Sequence, residues 1–329
     1  MDRGLKQDAE SIQKAVAFDG EQSSATAAGL AALAQLVDPM PVSTFINDYW
    51  ARKFLHLPGR QDKFSWLFSW ELLNRTLEQH RFSGGRVAMV KAGKGIEARV
   101  SGTTNQVNSR TVLSEVSNGA TLLLRNCDEV HQPLRLLCEV LERMCHVYVY
   151  VNLYAGIRTD HGFDVHWDDQ DNLILQVSGK KHWRVWAPTR SFPFKVDVVD
   201  TSVNTRPTGP PQWEGVLEQG ELLNIPRGWW HVAAPIDSPC LHLTVTVRNL
   251  NGIDLITWLA HRMKSNEIAR SPVPIFSDEQ DRKRWMDSVW RALSDMWTPS
   301  IIDMFLGDVD RLAPERPIFA LPATLPDRT

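Results

Sequence analysis

Apolar residues recur at helical spacing in several stretches near the start of the chain. A short helical pattern over 28–37 runs up to Asp38-Pro39, and after Ser43 the residues Phe45, Ile46, Tyr49 and Trp50 share one side of a second. Between Ser69 and Glu78, Trp70, Leu73 and Leu77 predict another helix. After Gly84-Gly85 the pattern changes. Segments 86–90 and 120–124 read as strands, while Leu134, Leu137, Cys138, Leu141 and Met144 predict a helix over 130–144. Strand patterns then follow closely at 146–154, 173–177, 182–186, 215–217, 222–225 and 241–247, separated by loops rich in Gly, Pro, Asp and Asn. Short strands with no long helix between them predict a sandwich or barrel rather than a parallel βαβ sheet.

Beyond Asn251 the helical period returns, with Leu255, Leu259 and Met263 on one face. Ser277-Asp-Glu-Gln280 has the form of a capping box ahead of Trp285, Val289, Ala292, Leu293 and Met296. Thr298-Pro299 predicts an N-cap and a first-turn proline for a third helix through Phe305. The expected organisation is a flexible tail over 1–27, a folded domain over 28–250, a helical segment over 251–310 and an extended, proline-bearing tail over 311–329. The helical segment carries Trp258, Leu259, Met263, Trp285, Val289, Trp290, Trp297, Met304 and Phe305. That is more apolar surface than three short helices can hide among themselves, so the segment is expected to bury it against a second copy of the chain.

The 36 basic and 39 acidic residues leave a formal net charge of -3, so no overall positive field recruits nucleic acid or an anionic membrane. Neither is expected as a partner. Cys127, Cys138, Cys145 and Cys240 form no C-x-x-C pair and fit neither a zinc ribbon nor a disulfide framework. Free thiols, a start without a signal-like apolar run, and no stretch of about 18 apolar residues together predict a cytoplasmic protein.

The chemistry concentrates in His166-Trp-Asp168 and in His231 of Ile225-Pro-Arg-Gly-Trp-Trp-His231. In an extended segment residues i and i+2 point to one side, so His166 and Asp168 can grip one ion while His231 arrives from a distant strand. Two imidazoles and a carboxylate on one face of a ferrous ion leave three positions open, which a bidentate keto acid and oxygen require. A single His-x-Asp is common by chance; here it is joined by a Glu218-Gln-Gly220-Glu221 turn and a proline-ended strand leading into His231.

The sequence resembles the JmjC group of cupin-fold oxygenases, and most closely its ribosomal-oxygenase branch. The likeness rests on Tyr49-Trp-Ala-Arg-Lys-Phe-Leu-His-Leu-Pro58, on Asn152-Leu-Tyr154 and on the run from His166 to Val185. It implies a double-stranded β-helix with flanking helices, iron(II) at His166, Asp168 and His231, and 2-oxoglutarate as cosubstrate. It also implies that Lys181 holds the far carboxylate of that cosubstrate, with Lys180 facing away by strand alternation. Asn152 sits where similar proteins place an amide near the iron, although hydrogen bonding to a neighbouring strand explains it equally. Thr244 and His242 alternate inward on the last strand, as pocket lining or as structure. His161, Asp164, Asp169 and Asp171 read as ordinary loop residues, and Trp167, Trp229 and Trp230 as shapers of the mouth.

A protein or peptide side chain is the expected substrate. Relatives of this branch carry a winged-helix domain after the helical segment, whereas 251–329 offers three helices and a tail. A precursor peptide or small natural product therefore stands beside ribosomal protein as a candidate. The other readings are a non-catalytic metal-binding cupin and a cupin enzyme that uses no keto acid.

Overall fold

The computed structural model describes residues 22–82, 85–96, 108–157, 162–198, 205–236, 239–313 and 316–317. Internal contacts divide the chain into two units, Met1–Asn249 and Leu250–Thr329.

Among the described residues of the first unit, the longer helices are α1 (Gln22–Val37), α2 (Trp70–Gln79), α3 (Ser109–Ser117) and α4 (Gln132–Cys145), and the helix expected after Ser43 is present as a short helical stretch from Val42 to Tyr49. The strands are β1 (Leu55–Leu57), β2 (Val87–Lys91), β3 (Lys94–Ile96), β4 (Thr121–Leu124), β5 (Val149–Gly156), β6 (Asp171–Ser178), β7 (Lys181–Trp186), β8 (Trp213–Leu217), β9 (Leu222–Ile225), β10 (Trp230–Pro235) and β11 (Cys240–Val247). They form one large sheet in the order β1-β9-β6-β11-β5-β4-β2-β3 and a smaller one in the order β10-β7-β8. Neighbouring strands pair antiparallel, as β11 does with both β5 and β6. The result is the expected jelly roll, a double-stranded β-helix.

The large sheet has two different faces. Val151, Leu153, Leu175, Leu222, Leu243 and Val245 join one buried cluster with Leu33 and Leu36 of α1 and Leu134, Leu137 and Leu141 of α4. On the opposite face Ile174, Leu223 and Ile225 meet Trp183 and Val185 of β7 and Leu217 of β8. The inner face also carries Asn172, Gln176, His242, Thr244 and Thr246, all buried. A fully buried leucine contributes roughly 1.5–3 kcal/mol, so the apolar outer layer carries the stability and the inner face can be given to polar chemistry.

Several elements differ from the sequence expectations. Helix α1 begins at Gln22, inside the segment expected as tail. Strand β1 was not expected, because three residues show no readable alternation; its pairing with β9 makes it a strand. Strand β10 was not expected either; it is paired along its length with β7. Helix α3 was also unforeseen and is capped by Asn108, whose side chain accepts from the N–H groups of Arg110 and Thr111.

In the second unit α5 (Gly252–Arg262), α6 (Glu279–Met296) and α7 (Ile301–Leu312) are the main helices. The capping box forms at Asn251 and Asp254, not at Ser277. Helix α6 is capped instead by Asp278, whose carboxylate accepts from Asp281 N–H at 2.8 Å. Helix α7 starts after Ser300, not Thr298, because Thr298–Ile301 closes as a turn, Ile301 N–H donating to Thr298 O at 3.0 Å. Trp258 packs on Phe305 with ring centroids 5.6 Å apart, whereas Trp290, Trp297 and Met304 remain exposed.

Candidate metal centre and its inner pocket

His166, Asp168 and His231 converge, each offering a ligand atom within 4.8 Å of the others. His166 Nε2 lies 3.9 Å from one Asp168 oxygen and His231 Nε2 lies 3.6 Å from the other. Ligands about 2.0–2.3 Å from a shared first-row ion can be no more than about 4.6 Å apart, so both pairs fit one ion. The protonation pattern fits as well. His166 Nδ1 is 2.7 Å from Asp164 O and His231 Nδ1 is 3.0 Å from Trp229 O. A carbonyl accepts only, so each Nδ1 carries the proton and each Nε2 presents a lone pair inward. Burial, together with His166, lowers the His231 pKa to about 4, which keeps that imidazole neutral.

Local backbone structure brings these distant segments together. His166 and His231 form an antiparallel bridge. Gly228 N–H donates to Asp168 O at 2.9 Å, and Arg227 N–H donates to Asp171 Oδ1 at 2.9 Å. Gly228 adopts a φ of +86°, which favours glycine. Asp168 is steered by Asn172, whose Nδ2 donates to Oδ2 at 2.7 Å, and Asn172 in turn accepts from Thr246 Oγ1 at 2.8 Å.

Behind the triad, β7 turns Lys181, Trp183 and Val185 to the interior, while Lys180 pairs with Glu218 at 2.7 Å on the surface. Lys181 is 4% exposed and has no carboxylate partner among the described residues. Its burial lowers the ammonium pKa. Trp183 Nε1 and His242 Nδ1 are buried without hydrogen-bond partners among the described residues. Orphaned polar atoms of this kind are rare in a finished interior. A buried cation beside an unpaired indole N–H is suited to an anionic guest with several acceptor oxygens. His242 stacks on Tyr154 with centroids 4.8 Å apart. Thr244 pairs in register with Asn152, so His242, Thr244 and Asn152 share the inner face. Asn152 also has a structural tie, its Oδ1 accepting from Asn126 N–H at 3.1 Å.

Residues 127–255 match the family described as the JmjC domain. The chain carries a JmjC domain. A bifunctional lysine-specific demethylase and histidyl-hydroxylase NO66 from Drosophila pseudoobscura pseudoobscura is 31% identical over 66% of this chain and 23% of its own length. A protein of the same name from Caenorhabditis elegans is 30% identical over 64% of this chain and 29% of its own length. The chain thus spans less than a third of the length of these curated relatives. Among solved structures, the ribosomal oxygenase YcfD from Escherichia coli superposes with a TM-score of 0.57 at 16% identity, covering 87% of this chain and 74% of that one. YcfD in complex with cobalt and 2-oxoglutarate gives a TM-score of 0.56 at 15% identity, with the same shares of both chains covered. At these identities the likeness is one of fold.

The triad and the inner-pocket residues all lie within the JmjC domain. His161 lies outside the described residues. Asp171, expected to be a solvated loop residue, is buried: it begins β6 and accepts from Arg227 N–H and Asn249 Nδ2. Asn172, Trp183 and Gln176 were not singled out in the sequence. The signal for Asn172 was its place four residues after Asp168, in a strand that alternation turns inward.

Proposed function

We propose that this protein is an iron(II)- and 2-oxoglutarate-dependent oxygenase that hydroxylates a side chain of a protein or peptide. The observation that carries the reading is a complete His-Asp-His set in a barrel whose buried, inward-facing Lys181 has no carboxylate partner among the described residues. An isolated metal-binding cupin has no need of such a lysine. The curated relatives bear the name histidyl-hydroxylase, which makes a histidine side chain the first candidate.

His166, Asp168 and His231 would hold the metal, and Lys181 with the Trp183 indole N–H would receive the distal carboxylate of the cosubstrate. Bound there, iron and 2-oxoglutarate supply the oxidising chemistry, in which oxygen, the keto acid and a C–H bond become succinate, carbon dioxide and a C–OH group. The carbonyls of Asp164 and Trp229 fix which imidazole nitrogen faces inward. Asn172 orients the carboxylate, and the enclosing walls of Ile174, Leu223, Ile225 and Val185 limit water in the pocket.

We also propose that the exposed faces of α6 and α7 make a homodimer, since Trp290 and Trp297 are over half exposed. Work in a reducing compartment such as the cytoplasm suits the free cysteines. The deciding assay supplies iron, ascorbate and 2-oxoglutarate and measures succinate, with and without histidine-containing peptides. Peptide-stimulated succinate and a peptide mass gain of one oxygen, both absent in Asp168→Ala, are expected. Succinate from a small molecule alone would refute the peptide reading, and none under any condition would refute the oxygenase.

A further inference from the structure

The segment 187–198 sits against the metal centre from two sides and ends in an apolar, cationic rim that the proposed reaction does not use. On one side Trp167, between two ligands, clusters with Trp186, Trp230 and Val232, and Trp230 Nε1 donates to Thr189 Oγ1 at 3.0 Å. On the other side a Cβ at Gly228 would lie 2.6 Å from Pro193 Cδ, so the loop leading to His231 is packed directly on this segment. Its base is fastened by buried Asp197, which accepts from Phe194 N–H at 2.7 Å and pairs with Arg190 at 3.1 Å. A fastened segment of this kind presents fixed groups.

Those groups are Phe192 and Phe194, and Arg227 joins them from the loop that leads to His231. The Arg227 guanidinium lies 5.8 Å from the Phe192 ring centroid and 5.7 Å from that of Phe194. Phe192 is 61% exposed and adopts a φ of +49°, a conformation that a bulky residue rarely takes without a reason. Arg190 is neutralised by Asp197, but among the described residues no carboxylate lies within ion-pair distance of Arg227. Lys195, beside Phe194, is exposed as well.

We infer that Phe192, Phe194 and Arg227 form a substrate-docking rim that binds a polypeptide segment bearing an acidic side chain next to apolar ones, close to the residue to be oxidised. The inference rests on the proposed polypeptide substrate and narrows it. Two exposed phenyl rings offer an apolar landing, and a guanidinium held between them has its N–H edges free for a carboxylate. With its guanidinium already lying against both rings, Arg227 has less side-chain freedom to lose on binding.

The test uses the cobalt(II)-loaded protein with 2-oxoglutarate and two fluorescein-labelled peptides. One alternates Glu with Leu and Phe around a central histidine, and its twin has Lys for every Glu. Anisotropy is expected to show the acidic peptide binding at least about tenfold more tightly, with Arg227→Glu inverting the preference. The double variant Phe192→Ala, Phe194→Ala should weaken both peptides; should it misfold, Arg227→Glu alone decides. Equal binding of the twins, no binding of either, or an unchanged preference in Arg227→Glu overturns the inference. Binding of the acidic peptide by wild-type protein that forms no succinate with iron would overturn the oxygenase reading and leave the rim standing. Succinate formation with equal binding of the twins would do the reverse.

Discussion

The main chains of His166 and His231 hydrogen-bond to each other in both directions, His231 N–H to His166 O at 2.7 Å and His166 N–H to His231 O at 3.1 Å. Two ligands from distant segments are therefore held together by backbone pairing and need no ion to meet. The outcome differs from small zinc modules, where metal binding and folding are one event. Chelation with EDTA should leave the far-UV circular dichroism unchanged and lower the melting temperature only by the loss of bound metal. Cooperative unfolding on chelation would contradict the preformed site.

Asn172 offers a sharper test of how the site is tuned. Its amide donates to Asp168 Oδ2 while its oxygen accepts from Thr246, which leaves no freedom to flip. Partners of a metal-bound carboxylate usually contribute about 10–100-fold in metal affinity. Asn172→Ala should weaken cobalt(II) binding by about that factor in a calorimetric titration, with little change in melting temperature without metal. Unchanged affinity would show that Asp168 needs no steering.

Much of this candidate site is legible in the sequence. The spacing of His166 and Asp168, the alternation that separates Lys180 from Lys181, and the period of α4 are local signals that the sheet preserves. The features that escaped depend on partners far away in sequence. Three-residue β1 exists through β9, and β10 through β7, and neither could be read from its own residues. Asp171 looked like one more charge in an acidic loop, yet Arg227 N–H and Asn249 make it a buried anchor. Caps were misplaced by one residue in α6 and two in α7 because several adjacent side chains could serve. Only geometry selects among Ser277, Asp278, Thr298 and Ser300.

Lys181 is buried with no acidic partner among the described residues, a state that opposes folding in the ligand-free protein. Lys181→Met removes the cation and keeps most of the volume. The variant should melt no lower than wild type without ligand. Wild type should gain stability with 2-oxoglutarate and metal, on the order of 2.7 kcal/mol at a hundred times the dissociation constant, whereas the variant should gain little at that concentration. A variant stabilised equally by 2-oxoglutarate would remove Lys181 from the pocket's role.

Within the helical unit Asp308 is surrounded by donors: Trp258 Nε1 at 3.0 Å, Arg262 at 2.9 Å and Arg311 at 2.8 Å. Arg311 first, then Trp258, lowers its pKa from 3.8 to about 2. A carboxyl with a depressed folded pKa contributes stability that is present above its unfolded value and disappears as pH falls through the folded one. Asp308→Asn should therefore melt lower than wild type at pH 7, and the gap should close as pH falls from about 4 to about 2. A gap that stays constant over that range would mean the carboxylate charge contributes nothing.

Trp290 and Trp297 face solvent at 66% and 56% exposure, on and just beyond α6. Met286 and Met304 are exposed in the same unit. Large apolar side chains in this number exceed the scattered exposure normal for a monomer. Interfaces of stable dimers concentrate their binding energy in a few such aromatics, commonly 2 kcal/mol or more each, on the order of thirtyfold in affinity. Light scattering coupled to size exclusion should give twice the chain mass at micromolar concentration. The pair Trp290→Glu, Trp297→Glu should give the single-chain mass with an unchanged circular dichroism spectrum, because neither ring is part of the unit's buried set. Full-length wild-type protein that elutes at single-chain mass would refute the dimer, and the exposed tryptophans would then need a different partner.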